Sequence, residues 1–307
     1  MATSSSCFSL VSFYEGYLRN AFTSSGLSSQ TIEIDSETTI HFWSSPNLPS
    51  NSKPPLILIH GFGANPLWQW CQQVQSLSSQ FSLYVPDLVF FGKSTTKSSE
   101  RSEIFQAVSI GKLLEKLGVK WYSVMGTSYG GFVAYHMARM WPKRVEKVII
   151  ASSAVNMRRR ENEELIEKAK VERIEDLMLP SKAAQLRVSM SLAVFKRPFF
   201  LPDFVLNDII HTLLSENREE KIQLLKGLTL GKDDTLQISP LQQEVLIVWG
   251  EHDKIFPLEK AFELKELLGD KVSMEVIKKT AHAPQQENPK QFNSIVRKFL
   301  SAGSSSS

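Results

Sequence analysis

The sequence has few cysteines, no long apolar run and almost no excess of charge of either sign. Only two cysteines, Cys7 and Cys71, occur in 307 residues, which argues against a disulfide framework and for a reducing compartment. No apolar run approaches the roughly 18 residues that span a bilayer, so no integral membrane segment is expected. The 35 Lys and Arg residues nearly balance the 32 Asp and Glu residues, which disfavours a nucleic-acid partner.

The N-terminal residues lack the basic and long apolar segments of a secretory signal. Arg19 is the only arginine before Arg101, whereas organelle transit peptides are normally rich in arginine. We therefore expect a cytoplasmic protein. Import into a chloroplast or another organelle is the alternative, because residues 1–12 are rich in serine and contain no acidic residue.

The sequence does contain a regular alternation of apolar runs and helix-like intervals. Its composition, 42% hydrophobic and 22% charged, is that of a globular protein. The apolar runs that predict strands are 31–34, 39–43, 56–59, 83–85, 122–125, 145–151, 245–249 and 274–277. The intervals with helical spacing are 7–21, 67–79, 104–117, 129–140, 258–268 and 289–300. Strands that alternate with helices predict the α/β class, with a mostly parallel central sheet flanked by helices on both faces.

This alternation is interrupted between residues 152 and 240. The stretch contains helical patterns but no convincing strand run, and its middle, 195–210, is aromatic and apolar. We interpret 152–240 as an inserted helical lid. The remaining divisions are an N-terminal helical segment at 1–30, an α/β core at 31–151 and 241–300, and a Ser-rich, disordered tail at 301–307.

The clearest chemical signal is the sequence Gly126-Thr127-Ser128-Tyr129-Gly130. A Gly-x-Ser-x-Gly sequence alone is weak evidence. Here it follows a predicted strand and precedes a predicted helix, which is the setting of a nucleophile elbow. Such a turn needs small residues because it is strained and closely packed, and it presents the Ser128 hydroxyl above the sheet. The alternative is an ordinary glycine-rich turn with an incidental serine.

A serine nucleophile needs a base, and the base needs an acid that orients it. Asp253 follows the predicted strand 245–249, and His282 follows the predicted strand 274–277. Loops after parallel strands converge at one edge of a sheet, so these two residues are expected to meet Ser128. His252 is the competing base. It ranks lower because a direct neighbour of Asp253 in the chain does not easily form a line with that carboxylate and a serine.

Residues His60-Gly61-Phe62-Gly63 follow the predicted strand 56–59. Glycines there allow backbone N–H groups to face the site, and we expect the N–H groups of Phe62 and Tyr129 to form an oxyanion hole. No His or Cys cluster has the spacing of metal ligands, so neither a metal nor an organic cofactor is expected.

Together these motifs resemble the α/β-hydrolase superfamily from about residue 31 to residue 300. The resemblance includes the His-Gly loop, the segment Pro86-Asp87-Leu88-Val89-Phe90-Phe91-Gly92-Lys93-Ser94, the Ser128 elbow and the chain order Ser, Asp, His. Within the superfamily the chain is similar to plant hydrolases described as epoxide hydrolase-like or monoacylglycerol lipase-like. Two positions depart from the pattern: Thr127 stands where many relatives carry His, and Ala281 stands where Gly is usual.

The resemblance also implies which chemistry is excluded. Epoxide hydrolases of this fold use an aspartate nucleophile and lid tyrosines, whereas position 128 is Ser and all six tyrosines precede the insertion. The chain is therefore expected to be a carboxylic ester hydrolase that forms an acyl-enzyme on Ser128, with His282 as base and Asp253 orienting it. Cleavage of a C–C bond, or a slow-turnover receptor for a hormone-like ligand on the same fold, are the alternatives.

The substrate class follows from the apolar middle of the insertion, 195–210. Because the insertion should cover Ser128, a small ester with an apolar acyl group is the expected substrate, and charged acyl groups are expected to be excluded. The sequence leaves the oligomeric state open.

Overall fold

The computed structural model describes residues 9–46, 53–63, 65–196, 201–236 and 238–302. Within them the chain forms one nine-stranded sheet packed between helices. The strands are β1 (Ser28–Glu33), β2 (Thr38–Ser44), β3 (Pro55–Ile59), β4 (Ser82–Pro86), β5 (Thr95–Thr96), β6 (Tyr122–Thr127), β7 (Val145–Ala151), β8 (Glu244–Gly250) and β9 (Val272–Ile277). The helices are α1 (Leu10–Ser24), α2 (Pro66–Leu77), α3 (Glu103–Lys116), α4 (Tyr129–Met140), α5 (Arg159–Ala169), α6 (Ile174–Met178), α7 (Ala183–Ala193), α8 (Asp203–Ile209), α9 (Arg218–Lys226), α10 (Leu258–Leu268), α11 (Pro284–Glu287) and α12 (Pro289–Ser301), and a π-helical segment (Ile210–Leu214) continues α8.

The sheet is antiparallel at one side and parallel through the rest. Its main strand order is β1-β2-β4-β3-β6-β7-β8-β9, and β5 pairs with β2. Every pair that involves β2 is antiparallel, whereas the pairs from β4 across to β9 are parallel. Parallel neighbours need crossover connections, which the helices supply. The predicted α/β class, with a mostly parallel sheet flanked by helices, is confirmed.

The apolar runs became central strands because both faces of the sheet are covered. In β3, Ile57 and Ile59 enter the hydrophobic core on one face. Leu56 and Leu58, which alternate with them, enter the core on the other face. Side chains alternate along a strand, so a strand that is buried on both faces needs apolar residues at every position. This explains why short continuous apolar runs, rather than alternating ones, marked the strands.

Most elements match their predicted positions, and the differences have local causes. Helices α4 and α10 have the predicted bounds. Helix α1 begins at Leu10 because the side chain of Ser9 accepts a hydrogen bond from the N–H of Ser12 and caps the helix; residues 7 and 8 of the predicted helix lie outside the described residues. Two elements were not predicted. Strand β5 has two residues and helix α11 has four, too few to show a periodic pattern.

The chain between β7 and β8 contains helices α5 to α9 and, in its described residues, no strand. Residues 197–200 and 237 of the predicted lid lie outside the described residues. Two small hydrophobic clusters hold α5 to α8 together, whereas Leu224 of α9 belongs to the main core. At the C terminus, α12 continues through Ser301, and residues 303–307 of the predicted tail also lie outside the described residues. In the described part of the chain, no helix combines the length and the apolarity needed to cross a bilayer.

The parallel strands deliver four loops to one edge of the sheet. These loops follow β3, β6, β8 and β9, and only β7 separates the first two strands from the last two in the strand order. The loops carry the residues that the sequence singled out, namely Phe62, Ser128, Asp253 and His282. The candidate site therefore lies at the carboxyl edge of the sheet, where ligands bind in open α/β folds.

Candidate active site

Ser128 occupies a strained turn between β6 and α4. Its φ of 51° lies in the left-handed region, which a residue with a side chain rarely adopts. The turn is also too tight for side chains at Gly126 and Gly130. A Cβ at Gly126 would overlap the carbonyl oxygen of Gly130, and one at Gly130 would overlap the carbonyl oxygen of Ile59. The Gly-x-Ser-x-Gly spacing is therefore a steric requirement of this turn.

The structure brings Ser128, His282 and Asp253 together in a line. The Nε2 atom of His282 lies 2.9 Å from the hydroxyl oxygen of Ser128. The other ring nitrogen, Nδ1, lies 2.9 Å from Oδ2 of Asp253. An ionised carboxylate only accepts hydrogen bonds, so Nδ1–H donates to Asp253 and leaves Nε2 to accept the Ser128 proton. The imidazole is thus positioned to act as a general base.

The Asp253 carboxylate is held by its own loop. Its side chain is fully buried, and its second oxygen accepts hydrogen bonds from the backbone N–H groups of Ile255 and Phe256 at 2.9 and 3.0 Å. These bonds fix the direction in which Oδ2 meets the imidazole. Phe256 also places its ring against the ring of His282, with centroids 5.4 Å apart. The acid and the base are therefore oriented by the same turn.

His252, the competing base, lies outside this line. Its Nε2 faces the carboxylate of Glu251 at 3.3 Å, and its side chain is 44% exposed. Its ring stacks on Phe195, with centroids 4.6 Å apart and planes 11° from parallel. His252 therefore contacts the insertion instead of the Asp253 carboxylate.

The two residues predicted to supply an oxyanion hole, Phe62 and Tyr129, lie next to each other beside Ser128. Tyr129 is the first residue of α4, so its N–H has no acceptor within the helix. Phe62 lies in the facing loop, and the rings of Phe62 and Tyr129 meet edge to face with centroids 5.6 Å apart. Both residues line the cavity that contains Ser128. The role of their N–H groups as the pair of donors stays a prediction.

His60 fixes the loop that carries Phe62. Its Nε2 accepts the backbone N–H of Leu88 at 3.0 Å, so Nδ1 carries the proton, which faces the carbonyl oxygen of Gly61 at 2.8 Å. Complete burial lowers the pKa of His60 from 6.5 to about 4, which keeps the ring neutral. A neutral ring can keep both bonds, whereas a protonated ring would lose the bond from Leu88. His60 is therefore a structural support of the loop.

Ser128 opens into an apolar cavity of about 70 Å³ that the insertion helps to enclose. The residues from the insertion that line it are Met157, Asn162, Leu165, Ile174, Met178, Leu225 and Leu228. Phe132 and Phe256 contribute rings from the core. Thr127, one of the departures from the family pattern, is buried and is not part of this lining. The cavity suits a short or folded apolar chain attached to the reacting carbonyl.

Glu287 is a supporting residue that the sequence did not reveal. One oxygen of its carboxylate accepts the N–H of Ala281, next to His282, at 2.6 Å. The other oxygen accepts the N–H of Phe195 in the insertion at 2.8 Å. Because this bridge joins residues that are distant in the chain, no local sequence pattern predicts it. No group of His, Cys, Asp and Glu side chains with the geometry of a metal site occurs among the described residues.

The chain is similar in sequence and in fold to several known proteins. A pimeloyl-[acyl-carrier protein] methyl ester esterase of Vibrio campbellii is 28% identical over 249 residues, which covers 80% of this chain and 94% of the relative. A membrane phospholipase A, described as a bacterial virulence factor, superposes with a TM-score of 0.80 at 19% identity, covering 96% of this chain and 93% of that chain. A 2-hydroxy-6-oxo-6-phenylhexa-2,4-dienoate hydrolase of Rhodococcus sp. superposes with a TM-score of 0.72 at 19% identity, covering 90% and 99%.

At such low identity the two solved structures show a shared fold and nothing about substrate. The family evidence is more direct. The family model described as alpha/beta hydrolase fold matches residues 54–289, which include the elbow, both other members of the line and the Phe62 loop. That match spans most of the sequence, and the chain belongs to the alpha/beta hydrolase fold family.

Proposed function

We propose that the chain is a serine hydrolase that cleaves carboxylic esters with an apolar acyl chain. One observation carries the proposal: the hydrogen-bonded line of Ser128, His282 and Asp253 opens into an apolar cavity. Membership of the family and a relative named as a methyl ester esterase place the chain among carboxylic ester hydrolases. In this proposal residues 152–240 act as a lid over Ser128.

The first half of the reaction forms an acyl-enzyme. The Ser128 oxygen attacks the ester carbonyl carbon while Nε2 of His282 takes the hydroxyl proton. The N–H groups of Phe62 and Tyr129 stabilise the negative charge on the former carbonyl oxygen. The carbon–oxygen bond to the alcohol then breaks, and His282 gives the proton to the leaving oxygen. The alcohol departs and the acyl group stays on Ser128.

The second half restores the enzyme. Water enters the position of the alcohol, and Nε2 of His282 takes one of its protons as the oxygen attacks the acyl carbon. The bond to Ser128 breaks, and the proton returns to the serine oxygen. One ester and one water give one acid and one alcohol. Asp253 keeps Nδ1 protonated throughout and stabilises the positive imidazole in each step.

The chemistry of the cavity supports an apolar acyl chain. Among the residues that line it, only Ser128, the buried Tyr129 and Asn162 carry polar side-chain groups. No charged residue lines the cavity. Each methylene that leaves water for such an apolar surface contributes about 0.8 kcal/mol.

The other functions considered from the sequence use the same residues. C–C cleavage also needs an activated serine, and a receptor on this fold keeps the complete line. No observation favours any of these. The narrower resemblance to plant hydrolases and the cytoplasmic location stay predictions, and the relatives described above are bacterial.

The experiment that tests the proposal is steady-state hydrolysis of p-nitrophenyl esters by the purified chain. We expect continuous turnover that exceeds one product per enzyme many times over. A single stoichiometric burst, followed by no further release, would instead support the receptor. Absence of both a burst and turnover across acetate, butyrate and octanoate esters would contradict ester hydrolysis altogether.

A further inference from the structure

Lys221 is a buried cation on α9 that the proposed mechanism does not use. The residue is only 3% exposed, although lysine is almost never fully buried unless it is paired. Within the described residues, the contact found for its ammonium is the face of the Phe91 ring, whose centroid lies 5.0 Å from Nζ. An aromatic face offsets only part of the cost of taking an ammonium out of water. The three N–H donors of Lys221 thus have no acceptor in the described structure.

The surroundings leave this ammonium charged at neutral pH. Burial lowers the pKa of Lys221 from 10.5 to about 8, opposed by the charge of Glu216 and assisted by that of Arg218. Glu216 is exposed and is not an ion-pair partner of Lys221. A pKa near 8 still means a protonated side chain at pH 7. The site therefore holds a positive charge for which the described residues supply no ion-pair partner.

Lys221 is not part of the lining of the cavity that contains Ser128, but its neighbours on two sides connect it to that lining. Leu225, one turn further along α9, lines that cavity together with Ser128. On the other side, Phe91 packs its ring against Phe62, with centroids 5.4 Å apart, and Phe62 also lines the cavity. The side chain of Asn217, just before α9, donates to the carbonyl oxygen of Phe90 at 3.2 Å and holds the start of the helix on this loop. The ammonium is therefore close to the wall where the lid meets the Phe62 loop.

We propose that Lys221 binds an anionic group at the far end of the acyl chain, so that the preferred substrates are half-esters of dicarboxylic acids. The inference rests on the proposed ester hydrolysis and refines its substrate class. It also departs from the expectation, drawn from the apolar residues 195–210, that charged acyl groups are excluded. The chain next to the reacting carbonyl remains apolar, and only its terminus carries charge.

Two arguments define the ligand. A single ammonium, whose charged neighbours Glu216 and Arg218 have opposite signs, balances one negative charge, which suits a carboxylate better than a phosphate dianion. The alcohol must lie near Nε2 of His282, which protonates it, and His282 lies against Phe256. Lys221 instead neighbours the Phe62 and Leu225 walls, so the group it meets belongs to the acyl part of the ester.

The test compares esters that differ only in their terminus. Monomethyl adipate is paired with methyl hexanoate, and monomethyl suberate with methyl octanoate, and methanol release gives kcat/KM for each. For the wild-type chain we expect kcat/KM of the half-ester to be about ten-fold or more above that of its neutral partner at the best chain length. The difference should come mainly from a lower KM. Lys221→Met should reduce that ratio by at least about ten-fold, and Lys221→Arg should retain part of it.

Lys226→Met is the matched control, since Lys226 lies on the same helix with an exposed side chain, and its ratio should equal that of the wild type. A wild-type chain that hydrolyses the neutral ester as well as the half-ester at every length would overturn the role of Lys221. So would an unchanged ratio in Lys221→Met. Absence of hydrolysis with both members of every pair would contradict the proposed ester hydrolysis itself, so the two failures are distinguishable.

A second measurement covers the case in which Lys221→Met does not fold. Free suberate should inhibit hydrolysis of methyl octanoate by the wild-type chain competitively at pH 7, and its inhibition should weaken as the pH rises past about 8 and Lys221 loses its proton. Octanoate, which has the same chain with a single carboxylate, serves as the reference. Equal inhibition by suberate and octanoate at both pH values would overturn the proposal.

Discussion

The backbone N–H of His282 donates a hydrogen bond to the carbonyl oxygen of Ala193, with the nitrogen and oxygen 3.1 Å apart. Ala193 is the last residue of α7 in the insertion, whereas His282 follows β9 in the core. The Glu287 carboxylate joins the same two segments through Phe195 and Ala281. The loop that carries His282 is therefore attached to the insertion, and a displacement of α7 would disturb the alignment of the imidazole.

The last part of the insertion is attached to the core at a second point. The buried carboxylate of Glu103, the first residue of α3, accepts the backbone N–H groups of Thr229 and Leu230 at 3.0 Å each. Burial alone would raise the pKa of Glu103, but hydrogen bonds from His136 and Thr229 hold it below its usual value. An ionised carboxylate makes stronger bonds to N–H groups than a neutral one. The insertion is therefore attached to the core at two separate places, near His282 and near α3.

Replacement of Ser128 by alanine should abolish catalysis. The variant Ser128→Ala loses the only oxygen placed 2.9 Å from Nε2 of His282, so ester turnover should fall by roughly three to six orders of magnitude. Covalent labelling by a fluorophosphonate probe should disappear as well. Ser99→Ala removes an exposed hydroxyl and should change neither measurement. Labelling that persists in Ser128→Ala would mean that another residue is the nucleophile.

Replacement of Asp253 should impair catalysis, whereas replacement of its neighbour His252, the competing base, should not. Asp253→Asn keeps the size of the side chain but favours the wrong imidazole tautomer, so turnover should fall by up to about 10⁴-fold with the fold intact. His252→Ala removes a ring that stacks on Phe195 at the surface and should retain most of the activity. Steady-state kinetics together with circular dichroism decide the matter. A severe loss in His252→Ala with an active Asp253→Asn would contradict the assignment.

The parts of this molecule that could be predicted from sequence are those with local causes. Strand β3 needs apolar residues on both faces, and this requirement is visible in five consecutive positions. The elbow at Ser128 needs glycines two residues before and after it, and the sequence has glycine at both positions. Even the meeting of Asp253 and His282 follows from the loops after parallel strands. Their roles in catalysis remain predictions, which the variants above test.

The features that escaped prediction depend on contacts between distant segments. Glu287 is one of many glutamates in the chain, and only the approach of the insertion gives its carboxylate the N–H of Phe195. From the sequence, Lys221 resembles an ordinary surface lysine in a charged helix. Its burial depends on the packing of α9 against Phe91. Strand β5 has only two residues and exists because it pairs with β2. In each case the local sequence shows the residue but not the distant partner that gives it a role.

The elbow should not tolerate any side chain at its glycines. In Gly130→Ala the new Cβ would overlap the backbone oxygens of Ile59 and His60, which cannot move without distorting β3 and the Phe62 loop. The free energy of unfolding should fall by more than about 3 kcal/mol, or the chain should fail to fold. Gly16→Ala is the control. Gly16 is exposed in the middle of α1 with nothing near the added atom, so this change should stabilise by about 1 kcal/mol.

Burial of neutral His60 should make the fold less stable as the pH falls. Its pKa is about 4 in the folded chain and near 6.5 in the unfolded chain, so the unfolded state binds more protons between these values. The stabilising contribution is complete above about pH 6.5 and is lost as the pH falls towards 4. Between pH 7 and pH 5 the free energy of unfolding should drop by about 2 kcal/mol from this residue.

Urea unfolding at pH 7 and pH 5 measures this drop in the free energy of unfolding. The drop should be absent in His60→Gln and present in His252→Gln, in which an exposed histidine is replaced. Keeping the range above pH 5 avoids Glu263, whose pKa the hydrogen bond from Arg158 lowers to about 2 and whose stabilising effect is lost only in stronger acid. An equal pH dependence in His60→Gln and the wild type would show that His60 does not titrate in this way.

The cavity beside Ser128 should make kcat/KM depend on the length of a neutral acyl chain. From acetate to butyrate and longer p-nitrophenyl esters, each methylene that enters the apolar cavity should raise kcat/KM by up to about four-fold, the equivalent of 0.8 kcal/mol. Leu228 lines this cavity from the insertion, so Leu228→Trp should fill part of it and move the optimum to shorter chains. Phe204 also belongs to the insertion but is 67% exposed and lies outside the lining. Phe204→Ala should therefore leave the profile unchanged. A wild-type profile that peaks at acetate, or a shift of the optimum in Phe204→Ala equal to that in Leu228→Trp, would mean that the acyl chain does not occupy this cavity.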